Sequence, residues 1–161
     1  MTNIALLAPA PKQAADTRRA TVRALTSEVL RGIRALAEMH GGDTIALIVF
    51  TGVWVGNTQH LTTDPSRYAE LYDIPPDSQR RPLSMEALQR STGVPIEILE
   101  IYVPRLIDRG LLEALPGGGL VAPSAVFTSP QMIGGANEVY TRAMSIVNVL
   151  RTAGFSFSDQ A

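Results

Sequence analysis

Residues 80–123 read RRPLSMEALQRSTGVPIEILEIYVPRLIDRGLLEALPGGGLVAP. Ser84 suits the cap of a short helix from Met85 to Ser91, with Leu88 facing inwards. Thr92-Gly93-Val94 makes a tight connection. Pro95 suits the first position of a second helix, and Glu97 suits the positive end of its dipole. Leu99, Val103, Leu106 and Ile107 form one stripe on that helix, and Gly110 closes it. Pro104 lies inside it, removes the bond to Glu100, and costs on the order of 3 kcal/mol unless the helix kinks or ends there. Leu111 to Leu115 reads as a strand, Pro116-Gly117-Gly118-Gly119 as a turn, and Leu120-Val121-Ala122 as the returning strand.

Upstream, Val22, Leu25, Val29, Ile33 and Leu36 trace one helical stripe between Asp16 and His40. Asp16 or Thr17 can cap its start, and Gly41-Gly42 ends it. His40 falls in the last turn, where a cation suits the dipole, and reads as a helix-end residue rather than a ligand. Asp43 or Thr44 can cap the next segment. Ile45 to Val55 is apolar on all sides, which predicts burial on all sides; length favours helix over strand. Gly52 and Gly56 form a small-xxx-small pair that permits close helix packing. The expectation is a central helix buried against a second subunit, with Val49, Gly52, Val53, Trp54 and Gly56 at the interface. Residues 44–63 carry no Lys, Arg, Asp or Glu, but Asn57 to Thr63 is largely polar, so the apolar part falls short of a membrane span.

Residues 61–79 hold Asp64-Pro65, Ile74-Pro75-Pro76 and Asp77-Ser78 and read as a linker, with a short helix from Pro65 to Tyr72 capped by Asp64. Downstream, Ser129-Pro130 is a cap and first-turn pair. Val139, Ala143, Val147 and Leu150 continue a stripe that stops at Gly154, and Gly134-Gly135 weakens the first turns. Packing the first, second and last helices together and pairing two subunits would bury these stripes, with Val147 and Leu150 joining the interface and Phe155 and Phe157 anchoring the tail. The organisation is a loose arm over 1–15, two long helices over 16–60, the linker over 61–79, a module over 80–123 and a last helix over 129–154. The fold class is mainly α with a small β-hairpin.

At 161 residues and 45% hydrophobic the chain has the material for one packed domain. A formal charge of −1 gives no global pull towards polyanions. The absence of cysteine excludes disulfides, thiol nucleophiles and thiolate metal sites, and fits a reducing, cytoplasmic setting. Ile4 to Ala8 is too short for a secretion signal and lacks basic residues before it. Lys12 is the only lysine; with Arg18, Arg19, Arg23, Arg31 and Arg34 it makes the first segment locally basic, which reads as a solvated helix face. Phosphate-loop, nucleophile-elbow and zinc-protease motifs are lacking, and His40 and His60 are not at ligand spacing. Asp73 and Asp77 are four apart in the Pro-containing linker and carry no metal assignment. Neither an enzyme, a cofactor nor a metal is expected.

Helix, tight turn, helix and hairpin in this order resemble the winged helix-turn-helix superfamily of transcriptional regulators. The matching residues are Leu83, Ser84, Leu88, Thr92-Gly93-Val94-Pro95, Leu99, Val103, Leu106, Arg109-Gly110-Leu111-Leu112 and Gly117-Gly118-Gly119, about a quarter of the chain. The resemblance implies a homodimer reading double-stranded DNA at a two-fold site. It implies Arg80 and Arg81 at the approach, Ser91 and Thr92 at the turn, Ile98, Ile101 and Arg105 along the recognition helix, and Gly117, Gly118 and Gly119 as a wing near phosphate. The chain departs from the family's common basic cluster, holding Ile98, Glu100 and Ile101 at those places. Over 80–113, Arg80, Arg81, Arg90, Arg105 and Arg109 are balanced by Glu86, Glu97, Glu100, Asp108 and Glu113. The alternative is therefore a module turned to protein contact through Ile98, Ile101 and Tyr102. A small-molecule effector beneath Trp54 is open, and no residue pattern names one.

Overall fold

The carboxylate of Asp43 accepts hydrogen bonds from the Ile45 and Ala46 amides, both at 3.0 Å, and so starts the helix around which the chain is arranged. The computed structural model of the protein describes residues 18–62 and 66–154. The expected arm over 1–15, the caps Asp16 and Thr17, Asp64-Pro65, and the tail residues Phe155 and Phe157 lie outside the described residues. The Asp43-capped helix, α2, runs Thr44–Thr58 and follows α1, Arg18–Glu38.

Helix α2 is buried on one face only. Ala46, Val49, Phe50, Val53 and Asn57, at helical spacing, point into the core, whereas Ile45, Ile48, Trp54 and Val55 are exposed. This corrects the expectation of burial on all sides. The buried face meets α3, Met85–Thr92, and α4, Ile96–Asp108. Gly52 lets the helices approach: a Cβ there would stand 2.5 Å from Thr92 Cγ2 and 2.9 Å from Leu88 Cδ1. At Gly56 it would stand 2.8 Å from Leu83 Cδ2. The small-xxx-small pair thus serves contacts within the chain. Val49, Gly52, Val53 and Gly56, expected at a subunit interface, are taken up by the protomer's own core. Helix α2 also packs as one unit with the elements after the linker, across the boundary expected at residue 60.

The module beyond the linker follows its local signals. Ser84 Oγ accepts from the Ala87 amide, and Gly93, at φ 71°, closes α3. Pro95 takes the cap position of α4 rather than the first helical position. Helix α4 runs through Pro104 to Asp108; Pro104 and Glu100 both lie on the exposed face, where water can satisfy the freed carbonyl. Strand β1, Glu113–Ala114, pairs antiparallel with β2, Leu120–Val121, in the register Glu113↔Val121 and Ala114↔Leu120. Both strands are shorter than the sequence suggests. Leu83 bridges Leu120 from the other side through reciprocal backbone bonds of 3.0 and 2.8 Å. Leu88, Leu99, Leu106, Leu112 and Leu120 close the core over this small sheet.

Asn57 ties these parts together. Its fully buried amide donates to Arg81 O at 2.7 Å and Leu120 O at 3.0 Å, and its Oδ1 accepts from the Ala122 amide at 2.8 Å. The side chain therefore holds the end of the linker and the returning strand against α2. The linker itself has a turn at 66–68 in place of a helix from Pro65 to Tyr72, and Tyr68 has φ 56°.

Helix α5, Pro130–Thr152, starts at Ser129, whose Oγ accepts from the Met132 amide. It lies along α1. Arg142 bridges the pair, with Nε 2.6 Å from Glu138 on its own helix and Nη1 3.7 Å from Glu28 on α1. Among the described residues, no helix is long and apolar enough to cross a membrane.

Candidate functional site

The end of α3, the outer face of α4 and the tip of the hairpin are open to solvent. Arg81, Arg90, Ser91, Glu97, Glu100, Arg105, Asp108, Arg109, Gly117 and Gly118 are exposed on these elements or beside them. Ile101 is 47% exposed, and Ile98 and Tyr102 are half-buried. Arg105 stacks its guanidinium over the Tyr102 ring at 5.5 Å. The Asp43 carboxyl also accepts from Tyr102; it is held below the usual carboxylate range chiefly by the Ala46 amide, with Tyr102 adding to it. Gly118 and Gly119, at φ 84° and 93°, shape the turn, with the Leu115 amide donating to Gly119 O at 3.0 Å.

Two residues assigned to this surface are held elsewhere. The Thr92 hydroxyl donates to Leu88 O at 2.8 Å while its methyl lies against Gly52, so it serves the α2–α3 contact. Arg80 is the clearer correction. Its side chain is 1% exposed, with Nη2 donating to Pro75 O at 3.1 Å, Nε paired with Asp77 Oδ1 at 3.2 Å, and the guanidinium 5.0 Å from the Phe127 centroid. Burial pushes its pKa down and Asp77 opposes that shift. Asp77 is itself fixed by the Ser124 amide and hydroxyl. The side chain turns inwards because Pro75 and Asp77 fold back over it, away from a phosphate approach.

What Arg80 turns towards is a cavity of about 680 Å³ among the end of α1, the outer side of α2, the 67–80 segment, Phe127 and the start of α5. Phe50, Trp54, Phe127 and Met132 supply apolar walls. Phe127 stands 5.8 Å from Phe50 and 5.3 Å from Trp54, centroid to centroid. His40 lies at the far end of this aromatic row, 5.3 Å from Phe50 and 3% exposed. Burial, then the nearby Arg109, holds its pKa below the ordinary 6.5, with Asp43 working in the opposite direction. The imidazole is thus buried and neutral at pH 7, not the dipole-facing cation expected from its place at the helix end. Neither ring nitrogen has a hydrogen-bond partner among the described residues, nor do Arg80 Nη1 and Nε, the latter being paired with Asp77 by charge alone.

A second unfinished surface runs along α1 and α5. Val22, Val29, Leu30 and Ile33 on α1 and Val139, Tyr140 and Met144 on α5 are exposed, with Val147 and Leu150 half-buried beside them. Trp54 lies at the cavity rim, and Val139 of this strip lines the same cavity. No group of three or more His, Asp or Glu side chains that could hold a metal ion occurs among the described residues.

Asn57 and Phe127 were not singled out from the sequence, and Asp77 was weighed there only as one of a pair with Asp73. A buried-face asparagine inside an apolar run is a signal that could have found Asn57; the other two act through partners distant in the chain. In comparisons with known proteins, no family model, curated protein or solved structure matches this chain.

Proposed function

We propose that the chain is a winged helix-turn-helix regulator that binds double-stranded DNA as a homodimer. The observation that carries this reading is the bridge of Leu83 to Leu120. It lays the segment between α2 and α3 beside the two-stranded hairpin through a one-residue bridge, so that helix, extended segment, helix, helix and hairpin follow in order around one core. In this arrangement α4 is the groove-facing helix and the Gly117–Gly118 tip lies beside the backbone. Arg81, Arg90, Arg105 and Arg109 supply the positive contacts, without Arg80. Ile98 and Ile101 suit thymine methyl groups, and Glu97 or Glu100 can accept from cytosine. The exposed apolar strip on α1 and α5 is the surface that a second copy covers, which doubles the reading head.

One observation favours a second reading, contact with a protein partner through the same face. Ile101 stands half exposed among Glu97, Glu100 and Asp108, a pattern that resembles an interface core with an acidic rim. The discriminating experiment is retention of fragmented DNA from the protein's source by the purified full chain, at low and at physiological salt. The regulator reading expects a few two-fold fragments, lost steeply with salt and lost altogether in Arg81→Glu/Arg105→Glu. A folded dimer that retains nothing at low salt overturns it and leaves the protein-contact reading.

A further inference from the structure

The cavity beside α2 carries charge where an unliganded packing defect would not. Empty cavities in proteins are lined by apolar groups, because an unpaired buried polar atom loses its hydration without replacement. Here a guanidinium whose side chain is 99% buried lines the cavity with Nη1 and Nε lacking a hydrogen-bond partner, while Nη2 donates to Pro75 O and Nε is ion-paired with Asp77. Those two contacts fix the guanidinium plane in advance, so a ligand would meet an oriented donor. At the other end, the neutral His40 brings two further nitrogens without partners. Phe127 stands by the guanidinium, with Phe50 5.8 Å and Trp54 5.3 Å from its ring. A volume of about 680 Å³ lies within the range of small-molecule sites.

The geometry points to a binding site for a small aromatic carboxylate, with the carboxylate on the Arg80 guanidinium and the ring body against the wall formed by Trp54, Phe127 and Phe50. Charge-assisted pairing with a fixed guanidinium selects an anion over its neutral counterpart. The aromatic walls select a flat apolar body over a sugar or a nucleotide phosphate. Glu70 and Asp73 also border the cavity, but both are exposed at its rim, where water screens them. Arg67, the other cation there, is already engaged with Gln79 at 3.0 Å. Arg80 is therefore the group that decides the sign of the ligand.

The site stands independently of the DNA reading, and its test uses no DNA. The probes are 2-naphthoate and the neutral 2-naphthamide, titrated into the full chain by calorimetry. The expected result is one 2-naphthoate per chain, bound at least tenfold more tightly than the amide. Arg80→Gln should reduce the acid to the level of the amide and leave the amide unchanged. Ala136→Trp, at an exposed lining position, should block both while keeping the thermal melt of the parent. Should Arg80→Gln fail to fold, the acid–amide ratio and the Ala136→Trp block decide alone. Equal affinities, a folded Arg80→Gln that binds the acid as the parent does, or unimpaired binding in Ala136→Trp would overturn the assignment. So would absence of binding for both probes at millimolar concentration, which would mean that another part of the chain or a second copy fills the space.

Discussion

Leu88, Leu99, Leu106 and Leu112 are withdrawn from solvent, whereas Leu30 on α1 and Tyr140 on α5 remain 66% and 69% exposed. The first group belongs to the unit made by α2, α3, α4 and the hairpin; the second belongs to the α1–α5 pair. The former builds most of its core from its own residues, with Met132 of α5 joining it, and pins it with Asn57. The latter buries Thr21 and Ala37 on α1 and Met132 and Gly135 on α5, and leaves an apolar strip open. Apolar side chains thus serve two different tasks: core packing in one region, and a surface suited to association in the other.

Substitutions sharpen this contrast. Leu99→Ala should cost about 2–5 kcal/mol in denaturant unfolding, since a fully buried leucine leaves a cavity that rigid neighbours cannot fill. Leu30→Ala should cost no more than about 0.5 kcal/mol within the protomer. Comparable losses would erase the distinction between the regions. Asn57→Leu should come next, at about 3 kcal/mol, because it strands the Arg81 and Leu120 carbonyls and the Ala122 amide. Proton exchange at the amides of Leu83 and Leu120 should quicken with it, and unchanged protection there would remove Asn57 from its tying role.

Acid provides a smaller, graded test. His40 has a folded pKa below 6.5. Well above that value neither folded nor unfolded chain binds the proton, and the group contributes nothing. As the pH falls through about 6.5 the unfolded chain takes up the proton first, so stability declines until the folded pKa is passed, by at most about 1.4 kcal/mol per pH unit. His40→Phe should flatten stability between pH 7 and pH 5; a slope identical to the parent's would show that the imidazole is not held neutral. The smallest effect on protomer stability belongs to Leu30→Glu/Tyr140→Glu. That variant should keep the parent's unfolding within about 0.5 kcal/mol yet sediment as a monomer where the parent sediments as a dimer.

The regions also differ in how far their residues announced them. Helix α3, helix α4 and the hairpin were readable because their ends are marked: Ser84 as cap, Gly93 and Gly110 as stops, glycines at the turn. Ser129-Pro130 marked α5 in the same way. The direction in which α2 faces was not readable. A helix apolar all round carries no periodic signal of which neighbour takes which side, so Gly52 and Gly56 suited a partner subunit as well as Leu88 and Leu83. Arg80 beside Arg81 resembled a pair of surface cations. Its burial depends on Pro75, Asp77 and Phe127, and Asp77 is itself fixed by Ser124, far along the chain. The cavity had no local mark for the same reason: five segments compose it, and none contains its pattern. The outer face of α4 was legible as a surface, with Ile101 and Arg105 exposed as the spacing implies.

Trp54 is the chain's only tryptophan, and it stands on α2 at 40% exposure with its indole 5.3 Å from the Phe127 ring. Every photon of indole emission therefore comes from one wall of the cavity. The same helix presses its opposite side, through Gly52 and Gly56, on α3 and on Leu83. The protein thus carries a built-in optical gauge. The colour of that emission registers water at the cavity mouth, and its quenching can be followed in the unlabelled native chain while anything is bound on the far side of α2.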